Sequence, residues 1–170
     1  GDEGFVKFVK KTSKAIGGPD LDGKKKKQLY KYSLTSELKS AIIPSADTSR
    51  EELLRNIGEY SSTYEATIRN ILRAQEEGKL VFVYNRLVQG SGLILFGLLL
   101  ELFGFASASG LEADKSERPR YASLTTKTST DKQVKDLVDR FNKPDNCTGK
   151  IINVIIGSRK IAEGFSLQNV

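Results

Sequence analysis

Three short runs of strand-forming residues with helix patterns between them constrain this chain more than any other feature. Leu80-Val81-Phe82-Val83-Tyr84, Tyr121-Ala122-Ser123-Leu124-Thr125 and Lys150-Ile151-Ile152-Asn153-Val154-Ile155-Ile156 are largely apolar runs. Such runs belong to strands covered on both faces, and so to a parallel sheet between helical layers. The intervening segments supply the helices. Ser61 or Ser62 can cap a helix whose apolar residues Tyr64, Ile68, Ile71 and Leu72 share one face and which Gly78 ends. Leu93 to Phe103, capped by Ser91, is apolar apart from Glu101 and reads as a buried helix packed on the sheet. Ser129 or Thr130 caps a third helix, with Val134, Leu137, Val138 and Phe141 inward and the pairs Asp131–Lys135 and Asp136–Arg140 on its outer face. Strand, helix, strand, helix, strand predicts an α/β fold, a three-layer parallel sheet.

The 170 residues and 38% apolar content suit one main domain. We place it at residues 59–170 and read residues 1–58 as a basic, partly irregular linker or insertion. Within that segment only Leu29 to Leu34 alternates as a short strand, and Glu51 to Ile57 allows one or two helical turns. Ten lysines and five acidic residues among residues 1–40 hold most of the formal charge of +6. The single cysteine, Cys147, excludes an internal disulfide, and the lack of histidine removes His-based triads and zinc-finger ligands. Both point to an intracellular protein. Asn146-Cys147-Thr148 fits a glycosylation sequon, which we read as accidental. Leu93 to Ala106 contains Glu101 and falls short of the roughly 20 residues of a membrane span, so no membrane partner is expected. Ala106 to Arg120 is polar and reads as a long irregular loop.

In an open parallel sheet, ligands bind where the strands end. Three loops should converge there: Asn85 to Gly92, Thr125 to Ser129, and Gly157 to Ser166. They offer hydroxyls, an amide, backbone N–H groups and helix N-termini, all suited to anionic oxygen.

The residues Val81-Phe82-Val83-Tyr84 with Gly90-Ser91-Gly92, Phe141-Asn142 with Asn146 and Gly149, and Ile156-Gly157-Ser158 with Glu163-Gly164 carry a further likeness. Over about Tyr60 to Val170 the chain resembles the second, C-terminal RecA-like lobe of superfamily 2 helicases. Within that group it is most similar to the NTPases of large cytoplasmic DNA viruses, such as the poxvirus early transcription factor small subunit and the poxvirus nucleoside triphosphate phosphohydrolase. The resemblance implies that Ser158 touches the nucleic-acid backbone and that Asn85 and Ser91 lie beside its track. Thr125 and Thr126 would fall at the next backbone-contacting loop, where the family usually shows Thr-Gly. Glu163 and Gly164 would face the nucleotide across the interlobe cleft. Ser166 stands where many relatives hold an aspartate that contacts the nucleotide sugar. The plainer readings stay open beside these: Ser158 as a turn cap, Glu163 in a structural salt bridge, Arg159 and Lys160 as loop charges, and Lys24 to Lys27 as a solvated run.

No Gly-x(4)-Gly-Lys-Ser/Thr loop occurs in the chain, nor a strand ending in an acidic metal-binding pair. The expectation is therefore a truncated lobe of a nucleic-acid-dependent NTPase or helicase, inactive alone and holding no cofactor tightly. Its full-length parent would use ATP and Mg. Its partners would be a DNA or RNA backbone, an N-terminal RecA-like lobe and transcription machinery, in a cytoplasmic virus factory or virion if the source is viral. The alternative is a non-catalytic RecA-like scaffold module of a transcription or RNA-processing assembly.

Overall fold

The computed structural model describes residues 7–19, 26–88, 92–109, 118–158 and 164–168. Two antiparallel strands, β1 (Val9–Pro19) and β2 (Lys26–Leu34), come first among the described elements. Helices α1 (Ser36–Ile42), α2 (Arg50–Gly58) and α3 (Ser62–Glu76) follow. The α/β part then runs β3 (Val81–Tyr84), α4 (Leu93–Glu101), β4 (Ala106–Ser107), β5 (Arg120–Leu124), α5 (Asp131–Phe141) and β6 (Val154–Gly157). A single 3-10 turn, Pro144–Asn146, precedes β6.

β3, β6, β5 and β4 form one sheet in that spatial order, with every neighbouring pair parallel. The three expected strands are thus all in one parallel sheet, with β6 between the other two. Side chains alternate along β6: Val154 and Ile156 join one core, Ile155 the other. The first core lies under α3 and α4, where Ile68, Ile71, Leu72, Phe96 and Leu100 pack with Tyr121 of β5. The second lies under α5, whose Val134, Leu137, Val138 and Phe141 meet Ala122, Leu124 and Ile155. This is the three-layer α/β architecture that the apolar runs imply.

Helix ends follow their local chemistry. Ser61 caps α3 by accepting from the Tyr64 N–H, and Gly78 leaves it at φ 65°, a conformation that favours glycine. Thr130 and Gln133 form a reciprocal capping box on α5. Helix α4 begins at Gly92 without a side-chain cap; Ser91, the expected cap, lies outside the described residues. Gly97 lets α4 approach β5 closely: a Cβ there would stand 2.6 Å from Cε2 of Tyr121. The Tyr121 hydroxyl donates to Oε1 of Glu101 at 2.7 Å.

Four elements differ from expectation, the first being α1, which lies in the segment read as partly irregular and buries Leu38 and Ile42. β6 starts at Val154, not Lys150, because the Asn146 side chain takes the Ile151 and Ile152 N–H groups that a ladder would need. The polar stretch after α4 contains β4, paired with β5 through Ala106–Arg120 and Ser107–Tyr121. The short strand at Leu29 to Leu34 belongs to a longer ribbon, seated by Val9 and Leu34 in the first core.

Asn146 itself is fully buried and donates to the carbonyls of Phe141 and Ile152, both at 3.0 Å. A side chain so enclosed is closed to glycosylation in the folded chain, in line with the accidental reading of the sequon. Among the described residues, no helix is long and apolar enough to cross a membrane.

Candidate functional site

The strand register builds the site. Tyr84 and Leu124 both pair with Gly157, so the three strands end on one rung. The next residues, Asn85, Ser158 and Thr125, therefore form a row along the carboxyl edge. At the usual 4.7–4.9 Å between strands that row spans about 10 Å. The Asn85 N–H donates to the Gly157 carbonyl at 3.0 Å, which fixes the row on one side.

Each member has a distinct environment. Asn85 donates through Nδ2 to the Tyr64 hydroxyl at 3.1 Å and accepts from the Leu87 N–H at 3.0 Å. Tyr64 Oη in turn donates to the Gly92 carbonyl at 3.4 Å, tying the β3 end to the start of α4. Burial pushes the Tyr64 phenol above its ordinary pKa, and the hydrogen bond from Asn85 opposes this only in part. Thr125 is buried, its hydroxyl accepting from the Lys127 N–H at 3.2 Å, whereas Thr126 and Lys127 are exposed. In the same loop Ser129 Oγ and Thr128 Oγ1 are buried with no hydrogen-bond partner among the described residues. Ser158 is 8% exposed.

Of the remaining expected residues, Ser166 is not gathered into this row. Ser91 and Glu163 lie outside the described residues, as do Arg159 and Lys160. Gly164 and Ser166 are exposed. Asn142 holds the Ser166 carbonyl through Nδ2 at 2.7 Å and accepts from the Gln168 N–H at 2.9 Å. Asn142 is the C-cap of α5. That helix is 11 residues long and so extends about 16 Å away from the Thr125 loop. Ser166 is thus anchored at the far end of α5 from Thr125.

Sequence reasoning missed the residues flanking Asn85. Tyr84 and Leu87 are about half exposed and Arg86 is exposed, and with Thr63 and Thr67 they line a hollow of about 280 Å³. The available signal was an aromatic, an amide and a cation in succession at a strand end, which read simply as a turn. A larger hollow of about 430 Å³, bordered by Arg118, Arg120 and Lys150, lies by the start of β5 instead.

Comparison with known proteins adds an independent observation. Over 121 residues the chain is 44% identical to "Putative helicase 087L" of Invertebrate iridescent virus 3, a match covering 71% of this chain. Over 123 residues, 72% of this chain, it is 35% identical to "Putative ATP-dependent RNA helicase" of Heliothis virescens ascovirus 3e. This chain resembles viral proteins named as helicases. A third, "Putative helicase 009L" of Frog virus 3 (isolate Goorha), is 34% identical over 116 residues, 68% of this chain. The matched segments span only 12%, 12% and 11% of these relatives. No family model and no solved structure matches the chain. The similarity supports a helicase-like domain of the kind found in large DNA viruses.

Proposed function

We propose that this chain supplies the second RecA-like lobe of a superfamily 2, nucleic-acid-dependent NTPase of a large DNA virus. In this reading the lobe contacts the nucleic-acid backbone and walls one side of an interlobe nucleotide cleft. The observation that carries the proposal is the row Asn85, Ser158, Thr125 at the carboxyl edge of a parallel sheet. Those three positions, picked out by the family likeness, converge on the edge where open α/β sheets bind ligands. The names of the three relatives support its helicase part. Nucleotide binding in the complete protein would close the cleft, and alternating grip on the backbone would move the strand. A virus factory or virion, and transcription machinery as a partner, belong to the same proposal.

The row does not fit ATP and Mg by itself. Among the described residues no three His, Cys, Asp or Glu side chains gather to hold a metal. The donors in the row are neutral, and the Asn85 amide is engaged by Tyr64 and Leu87. We therefore derive no hydrolytic step from this chain. The same engagement of Asn85, and that of Thr125 with Lys127, favours the second reading, a non-catalytic scaffold module.

Steady-state NTPase assays of the complete protein separate the two. Under the motor reading Ser158→Ala lowers nucleic-acid-stimulated hydrolysis more than basal hydrolysis, by about 1 kcal/mol of lost contact. Glu163→Gln then lowers both rates. Wild-type rates in both variants would leave the loop a structural turn, and a complete protein without NTPase activity would favour the scaffold.

A further inference from the structure

The net positive charge of the chain is concentrated on one element. Residues 7–34 carry nine lysines and two aspartates, a local charge of +7, whereas the whole chain carries +6. In sequence this is a lysine-rich stretch of no definite form. In the structure Lys10, Lys11, Lys14, Lys26, Lys27 and Lys31 all occupy positions on β1 and β2. A ribbon with an 11-residue strand extends roughly 35 Å, so the lysine positions are spread along its length. Lys7, Lys10, Lys11 and Lys31 are exposed. Among the described residues none of the four forms a salt bridge.

Aromatic rings are interleaved with these cations. Tyr30 is half-buried, with Lys11 Nζ 4.1 Å from its ring centroid; Tyr32, whose ring lies 6.4 Å from that of Tyr30, packs on the first core with its hydroxyl buried. Surfaces for single-stranded nucleic acid combine these two parts, cations along the backbone and ring faces for the bases. An acidic polypeptide would engage the lysines alone.

The ribbon is also joined to the candidate interface. The Tyr30 N–H donates to the Lys127 carbonyl at 3.1 Å, so β2 is bonded to the loop that exposes Thr126 and Lys127. We infer that the β1–β2 ribbon is a nucleic-acid-binding arm that continues the track from the carboxyl edge onto its lysines and Tyr30. It would engage single strands without sequence preference. This rests on the reading of that edge as a nucleic-acid surface, and the test keeps the two apart.

The test is anisotropy of a fluorescein-labelled oligothymidylate of about 20 nucleotides, longer than common single-module sites, titrated with the 170-residue chain over a range of salt. Replacing the exposed Lys10, Lys11 and Lys31 together by glutamine should weaken binding tenfold or more. It should also flatten the log–log salt slope by about 2, and arginine at the same positions should restore both. Circular dichroism checks that each variant is folded. Thr126→Glu probes the edge separately. If the glutamine variant binds with wild-type affinity and slope while Thr126→Glu weakens binding, the arm is overturned and the edge reading stands. Loss in the glutamine variant with no effect of Thr126→Glu upholds the arm and removes the edge. No binding by the wild-type chain, or tighter binding to phosphatidylserine vesicles than to the oligonucleotide, overturns the arm.

Discussion

At the scale of single residues, the polar groups that hold this lobe together differ from those that a motif reading singles out. Asn146 makes four hydrogen bonds from a fully buried position, two donated and two accepted. Asn146→Ala would orphan two carbonyls and two N–H groups. At 1–3 kcal/mol per unsatisfied group, discounted for relaxation and water entry, the loss should be about 3–5 kcal/mol, read as a fall in the urea midpoint. In sequence Asn146 stands out only as part of the likeness and of a chance sequon; its bonding depends on Phe141 and Ile152 meeting across the turn, which no local pattern encodes. Tyr121 offers a second test. Burial first, then the neighbouring Glu101 charge and hydrogen bond, raise its phenol well above the ordinary value. A raised folded pKa means that the folded chain keeps the proton after the unfolded chain has released it. Stability from this group is therefore complete below about pH 10 and declines as pH rises beyond it. Melting temperatures measured from pH 8 to 11 should fall more steeply in the wild type than in Tyr121→Phe.

At the scale of elements, legibility followed burial. Helices α3, α4 and α5 and the strands β3 and β5 were readable because their apolar spacing matches the faces they bury. The Thr130 cap was readable too, since Gln133 three residues on completes its box. Thr130→Ala should cost about 1 kcal/mol and, by removing one of the bonds that begin α5, speed amide exchange in its first turn. The elements read less well are those specified by tertiary contact. β4 is two residues long and exists through its pairing with β5. The ribbon lacks a continuous apolar face, and only Val9, Leu29 and Leu34 among its described side chains are buried apolar groups. Ile151 and Ile152, expected in β6, are diverted by Asn146, while the Asn153 Oδ1 beside them accepts from the Arg120 N–H at 2.9 Å.

At the scale of the whole molecule, the candidate site was legible as an edge and not as a set of side chains. Parallel topology alone requires the strand ends to converge, and Asn85, Thr125 and Ser158 do so. The return of Gly164 to Gln168 toward the far end of α5 depends on the Asn142 clamp, which the spacing after β6 does not disclose.

β6 sends alternate, fully buried side chains to opposite layers, so both hydrophobic clusters share it. The two clusters should accordingly melt as a single cooperative unit, with calorimetric and van 't Hoff enthalpies in agreement. Ile155 faces only the α5 side. Ile155→Ala, a cavity costing about 2–5 kcal/mol, should nonetheless accelerate hydrogen exchange in α3 as well as in α5. Faster exchange confined to α5 would mean that the layers unfold separately. β6, the middle of the three strands that end at the candidate interface, is thus also one through which either face of the molecule feels the loss of the other.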